Sequence, residues 1–177
     1  MMSDAEVAAC LERERRIACG QAPAHDDFLE LHRAIEAILD RKLWGCVDML
    51  VAALWHPYGG HGVYECVYDV MEVADREVVV PALAKGLCSD NCEVRAYSAD
   101  MCRYAPDPIF VARLEHIVLN DVGAGPGNAV GALAMVDRQK ALDLARCRLA
   151  GECDGETRSG ICGILLDLSG GEQDQAQ

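Results

Sequence analysis

From Asp40 onward the chain starts over four times. A recurrence of this kind constrains the fold more than composition does, because each unit must bury its apolar face against its neighbours. The segments run 41–74, 75–106, 107–136 and 137–168. Asp75, Asp107 and Asp137 open the last three and Asp40 precedes the first, so each unit is expected to begin with an Asp that caps the following helix. Intervals of 35, 32 and 30 residues between these aspartates fit a unit of two helices. Inside each unit an apolar stretch leads into a polar or glycine-rich turn and then a second helical stretch. The turns are His56–His61, Ser89–Asn91, Asp121–Pro126 and Gly151–Gly155.

The second stretches align without gaps from Val63, Val94, Gly127 and Thr157. Their fifth positions are Val67, Ser98, Gly131 and Ile161. Their eighth are Val70, Met101, Ala134 and Ile164, and their ninth are Met71, Cys102, Met135 and Leu165. Small or apolar residues at these offsets share one helix face, so all three positions are expected to be buried. Ahead of the units, residues 5–18 and 27–39 carry apolar side chains at helical spacing, such as Phe28, Leu31, Ile35 and Ile38. These two helices, joined near Pro23, are expected to cap the open end of the stack over residues 1–40, with 41–168 as four helix pairs and 169–177 as a disordered tail. The 177 residues, 51% apolar and 5% aromatic, suit one continuous domain without a β-sandwich.

The segment Val80-Pro81-Ala82-Leu83-Ala84-Lys85-Gly86-Leu87, then Asp90 and Glu93-Val94-Arg95-Ala96, resembles a HEAT-like repeat of the phycobilisome-lyase type. Such repeats pair a helix ending in Leu with an Asp-bearing turn and a Val-Arg dipeptide. Thr157-Arg158, Gly127-Asn128 and Val63-Tyr64 stand at the dipeptide in the other units. The resemblance covers about 41–168 and implies an all-α, right-handed α-α superhelix of about ten helices. It implies little about activity.

Acidic residues outnumber basic ones 29 to 16, a net charge of −13, which opposes binding to nucleic acid or to an anionic membrane. The excess is greatest at the start. Residues 1–40 hold nine acids and four bases, whereas 75–106 hold five and four. No apolar run is long enough to span a bilayer and Met1–Glu6 lacks a secretory pattern, so a cytoplasmic location is expected. Ten cysteines without a C-x-x-C pair, most of them inside helical patterns, read as reduced, buried small hydrophobes.

Catalytic and metal chemistry find little to work with. His56, His61 and Cys66 are the nearest approach to a metal cluster, and Cys88/Cys92 and Cys147/Cys153 lack partners at zinc spacing. HEAT-like di-iron hydroxylases use His-Glu dipeptides, and none occurs here. The cluster Gly123-Ala124-Gly125-Pro126-Gly127 lacks the Lys-Ser or Lys-Thr of a phosphate loop. No catalytic residue, metal ligand or cofactor is therefore assigned.

Partner binding is better supported. Side chains of the second helices not used for packing form a continuous surface, here Tyr64, Glu65, Tyr68, Asp69 and Glu72, then Arg95, Asp100 and Arg103, with Tyr58 in a second contact loop. Tyrosines beside carboxylates suit a basic protein. The expectation is a non-enzymatic acidic binder. Small acidic HEAT-like proteins resemble immunity proteins that occlude a basic toxin or enzyme, which is its most concrete form. A lyase-type subunit or chromophore-attachment factor and a generic assembly adaptor are the alternatives.

Overall fold

The computed structural model describes residues 2–19, 27–54, 63–151 and 153–170. Among these there are ten α-helices and no strand, so the fold is all-α. Helices α1 (Asp4–Ala18) and α2 (Asp27–Arg41) are followed by a 3₁₀ turn, Trp44–Cys46, and the six-residue α3 (Val47–Ala52). Then come α4 (Val63–Val73), α5 (Arg76–Gly86), α6 (Cys92–Met101), a 3₁₀ turn at Pro108–Phe110, α7 (Val111–Asn120), α8 (Gly125–Ala134), α9 (Arg138–Ala150) and α10 (Gly155–Gly170). Among the described residues, no helix is long and apolar enough to cross a membrane.

The helix ends follow from local chemistry, though not always as the aspartates suggest. Ser3 and Glu6 form a reciprocal capping box at α1. Asp107 accepts from the Ile109 N–H and Asp137 from the Lys140 N–H, as expected of caps. Asp75 occupies the same position without a side-chain cap bond. Asp40 caps nothing, because α2 runs through it to Arg41. The stop comes at Lys42, whose φ of 54° lets the Leu43 N–H reach Ile38 O at 3.0 Å and close a Schellman-type end. At the other terminus α10 continues through Ser169 and Gly170, so the expected tail begins two residues too early; its remainder lies outside the described residues.

Part of the packing joins odd helices to odd and even to even, but α3 also meets α6, α8 packs on α9, and α4–α6 and α5–α7 are not among the close pairs. Contacts join α1 to α3, α3 to α5 and α7 to α9, and likewise α2 to α4, α6 to α8 and α8 to α10. Consecutive pairs α1/α2, α5/α6, α7/α8 and α9/α10 also touch. One apolar cluster runs through all of them, from Val7 to Ile161. Polar bonds repeat with the units. Arg76 donates to the Pro106 carbonyl and to Asp107, and Arg138, at the same place in its own unit, donates to Leu168 O at 2.6 Å.

The aligned fifth position is buried in all four units: Val67, Ser98, Gly131 and Ile161. The ninth is not. Met71 and Cys102 are buried, but Met135 is exposed because α8 ends at Ala134 and the next residue lies in the turn. The cysteines also depart from expectation. All ten are free, yet only Cys10 and Cys102 are buried, and Cys19, Cys88, Cys92, Cys147 and Cys162 are exposed. Cys19, Cys88 and Cys92 lie at helix ends, whereas Cys147 and Cys162 sit on outward faces of the last pair. Helical spacing places a residue on a face without saying which face the neighbours cover.

Candidate functional site

Helix α4 buries Val67, Val70 and Met71, and this phase turns Glu65, Asp69 and Glu72 to solvent with Tyr68 half-buried between. The Tyr68 hydroxyl donates to Asp100 Oδ2 on α6 at 2.7 Å, and Arg103 donates to Asp100 Oδ1 at 2.5 Å. The Tyr68 ring stacks on Tyr104, with centroids 5.1 Å apart and planes 23° from parallel. Such a ring pair contributes about 0.5–1.5 kcal/mol beyond its buried area. Burial, and after it the bond to Asp100, pushes the Tyr68 hydroxyl above its ordinary value, so it stays a neutral donor at physiological pH.

The expected contact residues therefore divide. Tyr68, Asp100 and Arg103 come together in one network, and Glu65, Asp69 and Glu72 stand exposed beside it. Asp100 is buried, which corrects its placement on the contact surface: both oxygens are taken up holding Tyr68 and Arg103. Arg95 is likewise structural. It donates to Asp121 at 2.8 Å and to the carbonyls of Ser89 and Asp90, fastening the turn before α6. Tyr58, His56, His61 and the Tyr64 side chain lie outside the described residues.

Because Arg103 is paired, the carboxylates of α4 remain uncompensated. Among the described residues no base forms an ion pair with Glu65, Asp69 or Glu72, and Glu36 on α2 adds to the same field. Cys66 registers it. Burial first, then Asp69, Glu36 and Glu65, push its thiol above the ordinary value.

Cys66 also reveals a contact that the sequence reading missed. Its Sγ lies 3.5 Å from His32 Nε2, and His32 Nδ1 lies 3.7 Å from Glu36. His32 and Glu36 are four residues apart on α2, so they share a face. The signal available was their distance from Cys66, about one unit of the repeat. The three residue types are those of a thiol relay, but a nucleophilic cysteine needs its thiolate, and three surrounding acids disfavour it. The arrangement is an acidic, polar seam between α2 and α4. Among the described residues, no group of three or more His, Cys, Asp or Glu side chains is arranged to hold a metal ion.

A groove of about 1200 Å³ opens elsewhere, between α1, α3, α5 and the start of α6. It is lined by two ion pairs, Glu12 with Arg15 at 2.8 Å and Asp48 with Lys85 at 2.6 Å, and by Asp90 and Glu93, which have no ion pair among the described residues, but by no aromatic ring. The face built on α4 and α6 is the better candidate, since its unneutralised charge lies beside stacked aromatic rings, which the groove does not have. Comparisons with family models, with curated proteins and with solved structures return no match for this chain.

Proposed function

We propose that the protein binds a basic protein through the acidic face of α4 and α6, most concretely as an immunity-type inhibitor that occludes a basic toxin or enzyme. The observation that carries this reading is the trio Glu65, Asp69 and Glu72, exposed and without a basic partner among the described residues, beside the Tyr68–Tyr104 stack. Carboxylates steer a cationic partner and fix its register, while rigid rings give contact area at low entropic cost. The scaffold we propose is a right-handed superhelix of HEAT-like pairs. The packing of α3 on α5, α7 on α9, α6 on α8 and α8 on α10 supports it, as do the matching arginine bonds of Arg76 and Arg138. Ten free thiols favour a reducing compartment, and we place the protein in the cytoplasm.

The test is affinity purification of the full chain at low salt, followed by binding measurements with the purified polypeptide it retains. A single basic polypeptide is expected, with binding weakened at least tenfold by Glu65→Lys/Asp69→Lys and by raising salt from 50 to 300 mM. A retained partner that is acidic, or binding unchanged by the charge reversal, overturns the reading.

A further inference from the structure

Seven large apolar side chains stand exposed among the described residues, and four of them are evenly spaced along the chain. Val73, Tyr104, Met135 and Leu166 are 60, 41, 59 and 72% exposed, and each follows the one before by 31 positions. Single exposed apolar residues need no explanation, but here each second helix or its end carries one, at the eleventh, eleventh, ninth and tenth positions of the aligned stretches. All four lie at the same end of the even-numbered helices. Val73 closes α4, Tyr104 follows α6 by three residues, Met135 directly follows α8, and Leu166 belongs to the last five residues of α10. Helix α6 packs on α8 and α8 on α10; α4 is not closely packed on α6 but is linked to it by Tyr68, through Asp100 and Tyr104.

Packed helices lie about 8–10 Å apart, so side chains at the ends of four helices stacked in this order would form a track roughly 24–30 Å long with one apolar rung per helix. An α-helix lying along it advances about 10.5 Å every seven residues, close to the rung spacing. Charge selects the occupant. Glu72, Asp75, Asp137 and Asp167 each lie within two positions of a rung and are exposed, and no basic side chain pairs with them among the described residues. The bases nearby are engaged within the chain: Arg76 with Pro106 O and Asp107, Arg103 with Asp100, and Arg138 with Leu168 O. A second copy of a chain with net charge −13 would bring like charges together.

We propose that this track docks a cationic amphipathic helix of the partner, carrying an apolar residue at every seventh position and Lys or Arg beside it. The inference rests on the stacked-pair reading above and adds the partner's shape and periodicity to its charge.

The probe is a fluorescent 28-residue peptide with Leu at every seventh position, Lys flanking each Leu and Ala or Gln elsewhere, compared with a scrambled peptide of the same composition. Both are titrated by anisotropy against the full chain and against Val73→Ser/Met135→Ser/Leu166→Ser, whose sites are exposed; circular dichroism checks that this variant is folded. The registered peptide is expected to bind at least tenfold more tightly than the scrambled one and to lose at least tenfold in the triple variant. Equal binding of the two peptides, absence of binding at 100 μM, or retention within twofold by the triple variant overturns the proposal. So does a wild-type dimer that the triple variant converts to monomer, which would assign the track to a second copy. Glu65→Lys/Asp69→Lys leaves all four rungs in place. Loss of the purified partner on that variant but not on the triple variant would sink the track and spare the binding reading, and loss on neither would sink both.

Discussion

Replacing Gly127 with alanine puts a methyl group where α8 and α10 meet through their backbones. A Cβ built there lies 2.9 Å from the carbonyl carbon of Gly160, 3.1 Å from its Cα and 3.3 Å from its oxygen. The obstacle is main chain, which cannot rotate away as a side chain can, so the helices must separate or tilt and loosen the packing around Ile161. Overpacking of this kind costs about 1–3 kcal/mol. Gly127 is the third residue of α8, where better helix propensity returns little. A net loss of about 2 kcal/mol is expected, lowering Tm by roughly 4–8 °C in a chain of this length. The reverse substitution supplies the control. A Cβ at Gly160 meets the Gly127 Cα at 3.6 Å, an ordinary contact, and Gly160 sits inside α10. Gly160→Ala should gain about 0.5–1 kcal/mol from propensity and raise Tm by about 1–4 °C. Scanning calorimetry with urea titrations measures both, and an unchanged m-value excludes altered compactness. Gly127→Ala at or above wild-type stability, or the two variants moving together, would refute the close approach of these helices.

Asp121→Ala removes the partner of Arg95 and leaves a partly buried guanidinium; a loss of about 2–4 kcal/mol is expected by urea denaturation. Burial, with Asp100 next, holds the Cys102 thiol protonated in the folded chain well above its ordinary value, so above pH 9 the unfolded state releases a proton that the folded state keeps. Stability is therefore full below about pH 8.5 and falls above it by up to about 1.4 kcal/mol per pH unit from this group. Cys102→Ala should flatten that alkaline slope, which melts between pH 8 and 10.5 would measure. Lys42→Gly relieves a left-handed backbone at an exposed side chain and should raise stability by about 0.5–1 kcal/mol, with no change in binding.

Much of the helix placement was legible beforehand. The stretches 5–18 and 27–39 correspond to α1 and α2 within two residues at every end, and the turns at Ser89, Asp121 and Gly151 fall between helices as their Gly, Asp and Asn content suggests. The first unit read less well. Asp40 resembles its three counterparts in sequence, but Lys42 terminates α2, and a 3₁₀ turn shortens the helix that follows. The candidate face is visible in the sequence through Tyr68, Asp69 and Glu72, while Tyr104 and the His32–Glu36 pair are not, because the residues they meet on α4, Tyr68 and Cys66, lie 30 or more positions away.

Spacing of apolar residues along the chain determined that this protein is helical, where most of its helices break, and that the fifth aligned position of each second helix is buried. These are local consequences of 3.6 residues per turn and of residues that stop a helix. Tertiary structure decided the rest: that Asp100 turns inward to hold Tyr68 and Arg103, that five cysteines face solvent, and that four apolar side chains 31 positions apart stay uncovered. A period sets the distance between like positions, but only the neighbouring helices determine which of those positions are covered.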